Sequence, residues 1–207
     1  MNKGQTWNDN GKEGYVQDPE ALYRSDFFGG LGWMMLRSLW TEELSSKWPQ
    51  SFWDDWMREH EQRRERACIR PEISRTRTFG RIGVSRGQFF DQYLKYIQLS
   101  DADIKFTQKD LSNLLKDNYD LAFLEEVYVK AQLVNVDDVE RGGGDLLRIE
   151  YSADRRGDFE GIAKRIGIMD DLKDGVPRTA YFGVVTFRYH GKKIHLAPRR
   201  PWHGYPE

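Results

Sequence analysis

The chain has 207 residues, 31 % of them charged, and a net charge of −1, which leaves no strongly basic face for nucleic acid. Seven Trp, ten Tyr and eleven Phe argue against disorder, because burying them offsets the entropy of ordering the chain. No stretch reaches the roughly 18 apolar residues of a membrane-spanning helix, and Met1–Thr6 lacks the apolar core of a signal peptide.

Residues 7–30 are rich in Asn, Asp, Gly and Pro and read as loop with short extended pieces. Trp33, Leu36, Trp40 and Leu44 recur at helical spacing and predict a helix with an aromatic stripe, interrupted by Ser45 and Pro49. A second helix is expected from Ser51 through Trp53–Arg58 to Arg66, its charged later part facing solvent. Residues 69–80 read as strand and loop, and 81–93, with their Gly and Ser, as a mobile segment. After a polar linker at 94–116, Leu121, Leu124, Val127 and Tyr128 suit a short helix. Leu147, Ile149 and Tyr151 alternate with polar residues, as a half-buried strand does. Phe159, Ile162, Ala163 and Ile166 form one face of an amphipathic helix. Val185, Phe187 and Tyr189 lead into His190-Gly191, and Ile194 and Leu196 return, which predicts a β-hairpin. Gly142–Gly144 reads as a flexible loop, without the Lys-Ser/Thr of a phosphate loop. The pattern divides the chain into a first unit at 1–93 and a small α+β domain at 117–207.

Trp53-Asp54-Asp55-Trp56 is the sharpest local feature. A carboxylate beside indole rings suits a general base acting on a sugar hydroxyl; the same pair in the first turn of a helix would stabilise its dipole. Arg70, Arg75, Arg77, Arg81 and Arg86, interleaved with Ser, Thr and Gly, suit a loop closing on a diphosphate, or equally a solvent-facing strand. Asp101-Ala102-Asp103 has a metal-binding spacing but sits in a polar stretch and reads as a turn. The four histidines show no ligand spacing. The lone Cys68 has no partner for an internal disulfide, which suits a reducing compartment or a lost partner.

Several unusual strings occur in one order. They are Trp7-Asn8-Asp9-Asn10-Gly11-Lys12-Glu13, Leu22 through Phe28, Gly30-Leu31-Gly32-Trp33, Lys47-Trp48-Pro49 and Phe52 through Arg58. Ala67 through Thr76, Thr78 through Arg81, Gly87 through Gln92, Met169 through Lys173, Gly175 through Arg178 and His195 through Pro198 follow. Together they resemble the N-acetylglucosaminyltransferase I family, the α-1,3-mannosyl-glycoprotein 2-β-N-acetylglucosaminyltransferases, over nearly the whole chain. The resemblance implies an α/β fold: part of a GT-A Rossmann-like domain followed by a small C-terminal domain. It implies an inverting transfer of GlcNAc from UDP-GlcNAc to the α-1,3-mannose arm of a high-mannose N-glycan, with Mn²⁺, on the lumenal side of the Golgi membrane. By position Asp54 matches the catalytic base, Leu31 the apolar residue against the GlcNAc ring, and Ser85 a loop over the donor phosphates. The family's membrane anchor, its uridine-binding half with the Glu-Asp-Asp metal motif, and the disulfide partner of Cys68 have no counterpart in the match, so no metal ligand is expected in this chain. A truncated form is the expectation. The enzymes that act on O-mannosyl glycans share some strings and rank second, and a non-catalytic glycan- or partner-binding remnant is the alternative class.

Overall fold

The computed structural model describes residues 8–83, 86–141, 143–155 and 157–205, with helix and sheet mixed along the chain. The first half holds strand β1 (Leu22–Ser25), helix α1 (Arg37–Leu39), α2 (Trp53–Arg58), α3 (His60–Arg63) and strand β2 (Cys68–Pro71). The second holds α4 (Lys116–Glu125), β3 (Gln132–Leu133), β4 (Leu146–Tyr151), α5 (Asp158–Ile166), the short strands β5 (Leu172–Lys173) and β6 (Val176–Pro177), then β7 (Val185–Tyr189) and β8 (Lys192–Pro198).

The second half carries the main sheet, in the order β3-β4-β8-β7. Strands β7 and β8 form the expected hairpin; His190 and Gly191, at φ +49° and +78°, supply the two positive dihedrals of a tight turn that matches strand twist. Strand β8 then runs parallel to β4, from Leu146 opposite Lys193 to Tyr151 opposite Pro198. Helix α5 forms at the expected place, between Gly157 and Gly167, both left-handed at φ +83°. Its Phe159, Ala163 and Ile166 pack with Leu147, Ile149, Val185, Ile194 and Leu196 in one core. Strand β3 escaped the sequence reading because its two residues are both exposed and show no alternation.

The predicted helices of the first half are broken up. The aromatic stripe holds only a three-residue α1, then a π-helical turn (Trp40–Leu44) and a 3-10 turn (Ser45–Lys47). The second helix is interrupted at Glu59, whose ψ of 145° is extended, so α2 and α3 are separate. Its charged end is not merely solvated. Arg66 donates to both oxygens of Glu43, at 2.7 and 2.9 Å, and ties the end of α3 to the π-helical turn.

The Asn/Asp-rich start is a buried polar seam rather than a surface loop. Asn8, Asp9 and Asn10 are all buried. Asn8 donates to the Glu72 carbonyl at 2.8 Å, while Asn10 donates to Thr179 Oγ1 at 3.2 Å and accepts from Met169 N at 2.8 Å. Buried polar groups persist where partners satisfy them, and these partners come from β6's flank and the turn after α5. Phe27 completes the join by entering the core of the main sheet.

A second polar cluster lies under α4. Fully buried His195 on β8 contacts Thr186 Oγ1 through Nδ1 at 2.9 Å. Its Nε2 lies 3.0 Å from Glu126 Oε1 without the alignment of a good hydrogen bond, and Lys193 donates to the same oxygen at 2.5 Å. Burial would raise the Glu126 carboxyl, but His195 and Lys193 override it and hold it at about 2. Burial lowers the imidazole of His195 below its ordinary range. Both groups take up protons more readily in the unfolded chain, His195 below about pH 6.5 and Glu126 below about pH 4.3. Stability is therefore expected to fall on acidification, most steeply between about pH 4 and 2, and Glu126→Gln is expected to flatten that limb. Melting temperatures of the two proteins that superimpose across this range would reject the assignment.

Candidate active site

Helix α2 is six residues long and carries Asp54 and Asp55 in its first turn, so the dipole reading of these residues and the chemical one coexist. Both carboxylates face Arg58, at the i+4 and i+3 positions: its Nη1 lies 3.1 Å from Asp54 Oδ2 and 2.8 Å from Asp55 Oδ1. The guanidinium is 8 % exposed, stacks over the Phe27 ring at 4.9 Å, and donates through Nε to the Phe28 carbonyl at 3.1 Å. Its orientation is thereby fixed from three sides. The carboxylates it holds stay open to solvent, 41 % exposed for Asp54 and 48 % for Asp55.

The two aspartates differ in what else binds them. Lys173, on the β5–β6 hairpin, approaches Asp55 Oδ1 at 3.6 Å. Asp54 has Arg58 as its one ion-pair partner among the described residues, which leaves Oδ1 uncommitted. A free, oriented and solvent-accessible carboxylate oxygen is what proton abstraction from a bound hydroxyl requires.

The Phe28–Trp33 turn packs against this helix. A Cβ on Gly30 would lie 3.2 Å from Asp54 Cβ, and one on Gly32, at φ +58°, would lie 2.5 Å from Thr76 Cγ2. Gly32 admits no side chain, Gly30 is tight against α2, and Leu31 between them is 42 % exposed. Trp33, Trp48 and Trp53 cluster at the start of α2: Trp48 stacks on Trp53 at 6.0 Å and Trp33 lies 5.5 Å from Trp53. The turn thus approaches Asp54 at Gly30 and Thr76 at Gly32.

The arginine run does not act as one unit. Arg70 is buried against the Tyr23 ring at 4.9 Å, and Arg75 donates to the carbonyls of Ala102 and Pro19 at 3.2 and 3.0 Å. These two pin the fold, which is neither role considered for them in the sequence. Arg77, Arg81 and Arg86 are exposed, and Arg81 pairs with Asp91 at 2.5 Å. Ser85 lies outside the described residues. Asp103 pairs with Lys105, and 101–103 is irregular chain rather than the expected turn. Among the described residues no group of three or more His, Cys, Asp or Glu is arranged to hold a metal.

A cavity of about 470 Å³ lies on the flank of the same region, lined by Met34, Leu36, Met57 and Cys68 but not by Asp54. Burial pushes the Cys68 thiol up to about 11, so it stays protonated and inert near neutral pH. Arg58 and Lys173 were missed in the sequence reading. The i+3/i+4 spacing from the aspartates could have revealed Arg58; no local signal points to Lys173.

A half-exposed carboxylate oriented by a buried guanidinium is a geometry that can accept a proton from a hydroxyl. The chain belongs to the GNT-I family, whose model matches residues 2–207. It is similar to an α-1,3-mannosyl-glycoprotein 2-β-N-acetylglucosaminyltransferase of Arabidopsis thaliana, with 49 % identity over 185 residues. That match covers 88 % of this chain and 41 % of the relative, so the chain spans well under half the length of that protein.

Proposed function

We propose that the chain is the acceptor-activating part of an inverting transferase. It would move GlcNAc from UDP-GlcNAc, in β-1,2 linkage, to the α-1,3-mannose arm of a high-mannose N-glycan. The observation that carries this is Asp54, with Oδ2 fixed by Arg58 and Oδ1 free. Asp54 takes the proton of the mannose 2-hydroxyl as that oxygen attacks the anomeric carbon from the face opposite the diphosphate. The bond from that carbon to the UDP oxygen breaks, and UDP leaves with the electron pair. Leu31 packs on the GlcNAc ring, and the 81–93 segment with Arg81 and Ser85 closes over the diphosphate.

In this reading residues 1–93 belong to a GT-A Rossmann-like domain and 117–207 to the small α+β domain behind it, at work on the lumenal side of the Golgi membrane. The Mn²⁺ that the family resemblance implies finds no fitting ligand set among the described residues, and no step above runs through it.

The test is a chimera in which this chain replaces the matching part of the Arabidopsis relative. With UDP-GlcNAc and Mn²⁺ it is expected to transfer GlcNAc to a high-mannose acceptor, and donor is expected to slow hydrogen exchange across 81–93. A folded chimera with no transfer would overturn the reading; equal exchange with and without donor would remove the closing segment from it.

A further inference from the structure

The turn before α5, the β5–β6 hairpin and the C-terminal stretch Arg199–Tyr205 enclose a cleft of about 770 Å³. Half-buried Trp202 stands in it, edge-on to Tyr205 at 5.1 Å and 6.4 Å from Phe182. Asp154, Glu160 and His203 line the same cleft, and none of them is engaged in an ion pair among the described residues. Unpaired carboxylates are ordinary on a surface. Here they share one cleft with an indole, whereas the charged groups inside the fold, such as Arg178 with Asp9 and Lys193 with Glu126, are paired.

The chemistry of this lining selects a ligand class. Asp154 and Glu160 are offset by Arg155, Arg199 and Arg200 in the same lining. Arg155 and Arg199 are themselves paired with Asp158 and Glu150 at 4.0 Å, so neither a polyanion nor a cation is favoured. An indole in a cleft that also holds the uncommitted Asp154, Glu160 and His203 suits a neutral ligand with an apolar face and a hydroxyl rim, as a pyranose has. The hairpin also fixes where the cleft lies. Leu172 lines it, while the next residue, Lys173, reaches Asp55 at 3.6 Å. Successive strand side chains point to opposite faces, so the cleft and the Asp54–Asp55 pair flank one two-stranded ribbon.

We infer that this cleft is an oligosaccharide subsite that holds a branch of the acceptor N-glycan other than the mannose being modified. Its assignment to the acceptor rests on the transferase reading; its affinity for sugar does not. The test measures binding of a high-mannose oligosaccharide to this chain by isothermal titration calorimetry. Glu160→Gln combined with Asp154→Asn, both at accessible positions, is expected to weaken binding about tenfold, as loss of hydrogen bonds to charged groups does. Trp202→Ala is expected to abolish it, with circular dichroism reporting whether that variant folds. Glu125→Gln, at an exposed position outside the cleft lining, is expected to leave it within about twofold. No binding at millimolar sugar, binding indifferent to the carboxylate pair, or an equal loss on Glu125→Gln would each overturn the proposal. If the chimera fails to transfer GlcNAc while the cleft variants still lose the oligosaccharide, the transferase reading fails and the sugar site stands.

Discussion

Asp54→Asn in the chimera is expected to lower turnover by about 10²-fold or more, with donor affinity little changed. The amide keeps the shape of the carboxylate and can still accept from Arg58, so the geometry of α2 is retained while basicity is lost. Asp55→Asn is the informative comparison. Asp55 is held by Arg58 at 2.8 Å and by Lys173 at 3.6 Å, so its charge is already committed, and its loss is expected to cost about tenfold or less. Near-normal turnover in Asp54→Asn, with Asp55→Asn inactive, would exchange the roles of the two residues. Measuring kcat and KM separately keeps the result interpretable: a missing base lowers kcat, whereas a misplaced helix also raises KM.

Arg178→Met is expected to be the most destabilising single change in the seam that joins the two halves. The guanidinium donates through Nε and Nη2 to Asp171 Oδ2, at 2.9 and 2.6 Å, and through Nη1 to Asp9 Oδ2 at 3.4 Å. It lies between the Phe27 and Phe89 rings, at 4.7 and 5.6 Å. Burial alone would depress its protonation, but Asp9 and Asp171 outweigh burial and raise it. Methionine fills most of the volume yet leaves Asp9, 7 % exposed, without this cation. Breaking a buried pair in this way costs about 3–5 kcal/mol, or roughly a 10 °C fall in melting temperature for a chain of this size. A fall of less than about 3 °C would show that water or neighbouring groups compensate.

The elements between 146 and 198 were legible in the sequence because each buries one face. Period 3.6 in Phe159–Ile166 and period 2 around His190-Gly191 are consequences of that one-sided burial, and both survive in the structure. The first half was less readable because its structure is held by polar contacts between distant segments. Asn8, Asp9 and Asn10 look like a loop until Glu72, Met169, Thr179 and Arg178 are brought around them. The break between α2 and α3 follows from the extended Glu59, and nothing in the composition of a run of charged residues marks that position. At the site, the aspartates were legible as a local pattern. The asymmetry between them was not, because it depends on Lys173, brought over from a hairpin in the other half.

The tryptophan cluster has an optical consequence. Trp33, Trp40, Trp48, Trp53 and Trp56 lie within 6.5 Å of at least one neighbour in a connected group, and the chain has seven tryptophans in all. Their transition dipoles are close enough to couple, so much of the near-ultraviolet dichroism and intrinsic fluorescence of the protein originates around α2. The emission is therefore a label-free reporter weighted towards what happens around α2, with Trp202 reporting on the second half.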